Sequence, residues 1–140
     1  MVSTRAVRMN APTPFAELVS ATNYSFLRGA SHPAAMVHRA AALGMAGVGI
    51  ADRNSVAGVV RAHMAYREIR SENWCELAQN NAGFRLVVGS RLVFADDTPD
   101  IIAYPVNRTG WGRLTRLLTV GNRRAVKGDC IMHFTDLIEY

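Results

Sequence analysis

At 140 residues, 49% of them hydrophobic and 19% charged, the chain has enough apolar material for one packed core and too little charge for a disordered segment. Sixteen basic against eleven acidic side chains leave a net charge of +5, and Lys127 is the only lysine; a guanidinium-rich chain suits a nucleic acid or a phosphate-bearing ligand. No apolar run reaches membrane-spanning length, the two cysteines (Cys75 and Cys130) form no CxxC pattern and suit a reducing cytoplasm, and MVSTRAVRMNAPTP lacks the apolar core of a secretory signal.

Residues 1–14 read as a flexible lead-in that stops at Pro14. FAELVSA (15–21) predicts a short strand, and TNYSFLRGA (22–30) a loop of small polar residues around Gly29. Ser31 is a helix cap and Pro33 suits the first turn that follows. That helix runs through AAMVHRAAAL and stops at Gly44, with Val37, Ala40, Ala41 and Leu43 on its apolar face. MAGVGIA (45–51) predicts a buried strand. Ser55 is placed to cap a second helix, VAGVVRAHMAYREIR, whose Val56, Val59, Val60, His63 and Met64 fall near one face. Residues 71–83 extend that helix and end it near Asn80, Asn81 and Gly83. FRLVVGSRLVF (84–94) predicts a third strand kinked at Gly89, ADDTPD a turn, and DIIAYPV (100–106) a fourth strand. Asn107 caps a helix carrying Trp111, Leu114, Leu117 and Leu118 on one side; AVKGDC is a loop, and a last helix begins at Thr135. The alternation predicts an α/β fold with a parallel sheet and right-handed crossovers, the front half of a barrel or open sheet.

In such folds chemistry gathers at the C-terminal ends of the strands. There the sequence places Thr22, Asn23, Ser25 and Arg28, then Asp52, Arg53 and Asn54, then Arg91. One carboxylate among three arginines is no metal site, because guanidinium groups offer donors and no lone pair. The set suits an ion-pair network or a bound anion such as phosphate, unless the arginines simply face solvent. His32, His38, His63 and His133 have no partner at HxH or HxxxH spacing and read as ordinary core or surface residues. Ser25 and Ser90 lack a GxSxG context, and VVGSRL is too short for a phosphate loop. Arg113, Arg116, Arg123 and Arg124 give the Asn107 helix a basic face, a candidate nucleic-acid contact or a solvated surface.

ELVSATNYSFLRGASHP, GIADRNSVAGVVRAH and RLVVGSRL together resemble the N-terminal PHP (polymerase and histidinol phosphatase) domain of bacterial C-family DNA polymerases, with TNYSFLRGASHP and DRNSVAGVVRAH closest to the error-prone branch. NRTGWGRLTRLLTVGNRRAVKG resembles the segment that follows. The resemblance covers residues 15–140, with 70–83 standing out as an insertion. It implies a PHP-type distorted β/α barrel, TIM-like, of which about the first half is present. It also maps the family's metal ligands: the first-strand HxH onto Val19 and Ala21, the Asp of the following loop onto Arg28, the Asp-His pair onto Asp52 and Arg53, and the third-strand acid onto Arg91. Only Asp52 keeps a ligand, so the resemblance implies a degenerate site, with no catalytic residue or metal in this segment. The expectation is that arginine pairing with Asp52 replaces the metals. For the whole protein the resemblance implies DNA-templated nucleotide addition and translesion synthesis in DNA repair, with Mg²⁺ in a polymerase domain. Its expected partners are DNA, the other polymerase domains and accessory mutagenesis proteins. A non-catalytic phosphate- or DNA-binding module is the alternative. A metal-dependent phosphoesterase would need the His, Asp and Glu ligands that are missing.

Overall fold

The computed structural model describes residues 13–71 and 83–140. The expected lead-in (1–14) and insertion (70–83) fall almost wholly outside those residues. Strands β1 (Ala16–Ser20), β2 (Gly47–Arg53), β3 (Arg85–Leu92) and β4 (Ile101–Ala103) alternate with helices α1 (Pro33–Ala42) and α2 (Val59–Arg70), and helices α3 (Arg108–Arg124) and α4 (Phe134–Glu139) follow. The four strands form one sheet in the order β1-β2-β3-β4.

β1, β2 and β3 pair in parallel, and β2 is the buried centre: GVGIAD is buried throughout and only Arg53 emerges. A near-continuous apolar run is what a strand covered on both faces requires. β4 departs from the expected parallel sheet and runs antiparallel to β3, pairing Ser90 with Ala103 and Leu92 with Ile101. The short 93–100 link cannot carry a crossover, which needs a dozen residues or more, so the strand turns back beside its predecessor. Gly89 is no kink either. The β2–β3 register runs unbroken from Gly47↔Arg85 to Arg53↔Arg91.

The reason for glycine at 89 lies in the Ala103 carbonyl, which a Cβ would overlap, and in the neighbouring Tyr104. From the end of β4 its ring crosses the face of β3 and β2, and its hydroxyl donates to the Leu18 carbonyl on β1 at the opposite edge. A Cβ at Gly49 would stand 2.5 Å from the Tyr104 hydroxyl, and one at Gly89 would stand 2.6 Å from its ring. The two glycines form a seat for the ring, and the ring holds the sheet curled into roughly half a barrel.

Helix α1 is capped by His32, in extended conformation, rather than by Ser31. Pro33 at the first helical position keeps its predecessor extended and so fixes the cap one residue later than expected. At the other end Gly44 adopts φ 69°, its N–H donating to Ala41 and that of Met45 to Ala40. This is a Schellman ending, and the left-handed residue in it favours glycine. Leu43 sits at the cap and is exposed instead of joining the apolar face. Helix α2 starts at Val59 with Gly58 as cap; Ser55 instead accepts from the Ala57 N–H in a turn before the helix. Its buried face is Ala62, Ala65 and Ile69, packed on Val37, Ala40 and Ala41 of α1, while Val60, His63 and Met64 are exposed. Small residues let the two helices approach closely, a preference that counting large apolar side chains misses.

A second core joins Leu92 and Phe94 to Leu114, Leu117 and Leu118 of α3 and to Met132. Asn107 caps α3 as expected, accepting from the Gly110 N–H at 2.8 Å. Helix α4 begins at Phe134, a residue earlier than expected, with the His133 N–H held by Asp136 at 2.8 Å. The buried Asp136 also takes both terminal nitrogens of Arg124, which ties α4 to the end of α3. No helix among the described residues is long and apolar enough to cross a membrane.

Arg124 and the His133 N–H hold the Asp136 carboxyl down at about 2, from an ordinary value of 3.8. A carboxylate depressed in the folded state contributes fully above its unfolded value and less as the pH falls through its folded one. Unfolding free energy from urea titrations is therefore expected to stay level down to about pH 5 and to decline from there to about pH 2. Asp136→Asn should flatten that decline and lower the neutral-pH plateau by about 2 kcal/mol.

Candidate functional site

The ends of β1, β2 and β3 converge as the sequence predicts. Val19, Ala21, Arg28, Arg53 and Arg91, together with Ser25 and Ala51, line one cavity of about 340 Å³. Five of the six candidate positions thus share a wall. Arg53 and Arg91 stand directly opposite each other in the β2–β3 register.

Asp52, the sixth, does not line that cavity. It is 1% exposed and its carboxylate is engaged by three neutral donors: the Thr22 N–H at 2.7 Å, the Thr22 hydroxyl at 2.8 Å and the Ser25 hydroxyl at 2.6 Å. Its main-chain carbonyl accepts from the Ser90 hydroxyl at 2.9 Å. The Ser25 oxygen in turn accepts from the Arg53 N–H, and Ser90 from that of Ser55. The expected pairing of Asp52 with arginine is therefore overturned. Among the described residues the arginine–carboxylate pairs are Arg91 with Asp100, at 2.7 Å, and Arg124 with Asp136. Short hydroxyls and an N–H reach a buried carboxylate at less ordering cost than long guanidinium side chains do.

These contacts make Asp52 the anchor of the 22–31 loop. Within the loop the Ser25 N–H donates to Thr22, those of Arg28 and Gly29 to Ser25, and that of Asn23 to Ser31. Gly29 packs so close to the strand end that a Cβ there would meet the Ala21 carbonyl at 2.6 Å. Across the site Asn54, at φ 46°, pairs both side-chain ends with Val93, donating at 3.1 Å and accepting at 2.8 Å. Asparagine tolerates that left-handed conformation better than most residues. Thr22, Ser25 and Asn54 lie near the strand ends as expected, but their structural work was not foreseen; its signal is a run of short polar side chains directly after the first two strands.

The remaining candidates scatter. On α3, Arg113 donates to the Tyr140 carbonyl and Arg124 is held by Asp136, whereas Arg116 and Arg123 are exposed. His38 approaches Glu68 at 3.3 Å, His133 approaches Asp96 at 3.9 Å, and His32 and His63 are exposed. Cys130 is a free thiol whose pKa burial pushes up; Cys75 lies outside the described residues.

The donor set does not fit a divalent metal. Three guanidinium groups, a valine and two alanines supply no side-chain lone pair, the Ser25 hydroxyl is engaged by Asp52 and the Arg53 N–H, and Asp52 has already committed its oxygens. Among the described residues no group of three or more His, Cys, Asp or Glu side chains could hold a metal ion.

The family model of the PHP domain matches residues 17–137, and the chain belongs to this family. Its similar relatives include error-prone DNA polymerases: that of Brucella abortus is 50% identical over 126 residues, and error-prone DNA polymerase 1 of Rhizobium meliloti is 52% identical over 132. These alignments cover 89% and 94% of this chain and only 11% of either relative. Among solved structures it resembles a protein of Bifidobacterium adolescentis described as a candidate metal-dependent phosphoesterase, with a TM-score of 0.51 and 24% identity over 81% of this chain and 36% of the other. That likeness is one of fold.

Proposed function

We propose that the chain is the N-terminal PHP region of an error-prone DNA polymerase and acts there as a scaffold with no chemistry of its own. The observation that carries this reading is half-identity to error-prone polymerases across nine-tenths of the chain, within one-tenth of their length. The whole protein would add nucleotides on a DNA template, including damaged template during repair, in the cytoplasm. Its Mg²⁺ would be held by acidic residues of the polymerase domain. DNA, the other polymerase domains and accessory mutagenesis proteins would be its partners. Support for a silent PHP site comes from the arginine-lined cavity and the committed Asp52.

The test has two parts. The complete polymerase is expected to extend a primer across a damaged template with Mg²⁺, while this chain alone adds no nucleotide and hydrolyses no bis(p-nitrophenyl) phosphate with added Mn²⁺. Elemental analysis after dialysis should find no stoichiometric zinc or manganese. A retained metal at one per chain, or phosphodiester hydrolysis that disappears in Asp52→Asn, would refute the silent site; a complete protein without primer extension would refute the polymerase.

A further inference from the structure

We propose that the cleft beside the strand ends binds single-stranded nucleic acid, with phosphates on Arg28 and Arg53 and a base stacked on Phe26. The inference rests on the metal-free reading of the same strand ends. The 340 Å³ cavity adjoins a larger one of about 970 Å³, and Ser25, Arg28 and Arg53 line both. The larger cavity carries Phe26 on the side of the 22–30 loop, and Asn122 and Lys127 on the side of α3 and its following loop.

The charges in this cleft are unbalanced. Arg28, Arg53, Arg91 and Lys127 line it. Asp129 is the carboxylate lining it, and Arg91 is paired with Asp100. Arg28 and Arg53 are exposed and have no carboxylate partner among the described residues. Arg53 and Arg91 also oppose each other on adjacent strands, which sets two guanidinium groups on one wall of the cleft, and only that of Arg91 is answered by a carboxylate. Guanidinium forks match phosphate oxygens in shape as well as charge.

Beside these cations stands an apolar tip. Phe26 is 83% exposed and Leu27 is 88% exposed, with Leu27 held at φ 59°. A branched residue in the left-handed region marks a segment whose surroundings impose its conformation, a feature concentrated at ligand-contacting sites. An exposed ring beside a cationic groove is the pairing by which proteins hold single strands, bases on the ring and backbone on the charges. A duplex keeps its base faces stacked and offers only phosphates to the same surface.

Fluorescence anisotropy with a labelled deoxythymidine 12-mer, in EDTA, tests the proposal. The purified chain is expected to bind it in preference to a duplex of equal length. Phe26→Ala should weaken binding roughly tenfold with the salt dependence unchanged, and Phe26→Trp should bind at least as tightly. Arg28→Ala and Arg53→Ala should each reduce the log–log salt slope by about 0.7, and Arg61→Ala, on the exposed side of α2, should change nothing. Thermal midpoints of the variants, all at exposed positions, check that each is folded. Equal affinity for the duplex, indifference to Phe26→Ala, binding that requires added Mn²⁺, or displacement by polyglutamate as readily as by unlabelled strand would each overturn the proposal. None of these outcomes bears on primer extension by the complete polymerase, so the two readings fail separately.

Discussion

Asp52→Ala is expected to lower the unfolding free energy by about 3–5 kcal/mol, among the largest effects of any single substitution in this chain. The carboxylate accepts from the Thr22 N–H and from the Thr22 and Ser25 hydroxyls, and Thr22 is 0% exposed. Alanine leaves all three donors buried with nothing to accept them, and each unsatisfied group costs about 1–3 kcal/mol. Asp52→Asn keeps the shape and one acceptor oxygen, so its loss should be near half that of alanine. Arg28→Ala and Arg53→Ala, at exposed side chains outside the network, should stay within about 0.5 kcal/mol of the parent. Urea unfolding of the four variants decides between two accounts. If the arginine variants lose as much as Asp52→Ala, ion pairing holds the site together after all; if only the aspartate variants suffer, the hydroxyl network does.

The second large effect is expected at Gly89. An added methyl there would overlap the Ala103 carbonyl oxygen and stand 2.6 Å from the Tyr104 ring and 3.0 Å from the Ala103 carbonyl carbon. Backbone of a paired strand cannot yield as a flexible side-chain tip would, and β4 is held to β3 by only three register pairs. Gly89→Ala should therefore cost at least about 3 kcal/mol, at the upper end of overpacking losses, or roughly 8–12 °C in melting temperature. Hydrogen exchange should show β4 amides losing protection before those of β2. Gly112→Ala is the matched control: it lies within α3, a Cβ there meets nothing within 4 Å, and helix propensity favours alanine by up to about 1 kcal/mol. A stable Gly89→Ala protein would mean that neither the Ala103 carbonyl nor the Tyr104 ring sits against β3 as described.

Local chemistry made much of this fold readable in advance. The apolar run ending at Asp52 could only be a covered strand, Gly44 a helix stop and Asn107 a cap, because each signal acts over a few residues. The family resemblance rests on phrases that the loops after β1 and β2 carry, and those loops form the site. The readings that failed depended on neighbours distant in the chain. Whether α2 turned its alanines or its Val60 and Met64 inward was decided by how closely α1 approaches, which periodicity does not encode. Glycine at 89 looked like a kink because the groups that occupy its space, the Ala103 carbonyl and the Tyr104 ring, arrive from the next strand and just beyond it. Asp52 looked destined for arginine on charge alone. Its partners were chosen by geometry, since the β1 crossover brings Thr22 and Ser25 within hydrogen-bond reach of its oxygens.

That choice of partners sets a direction on sequence change at this site. Introducing histidines at Val19, Ala21 and Arg53 and acids at Arg28 and Arg91 would fill the cavity wall with ligands, yet the aspartate beneath would still be committed to its loop. Freeing it means dismantling the contacts that hold that loop before any ion could compensate, so every one-step route to chelation begins with a less stable protein. The hydroxyls that grip Asp52 thus work as a ratchet, opposing the stepwise assembly of a metal site around it.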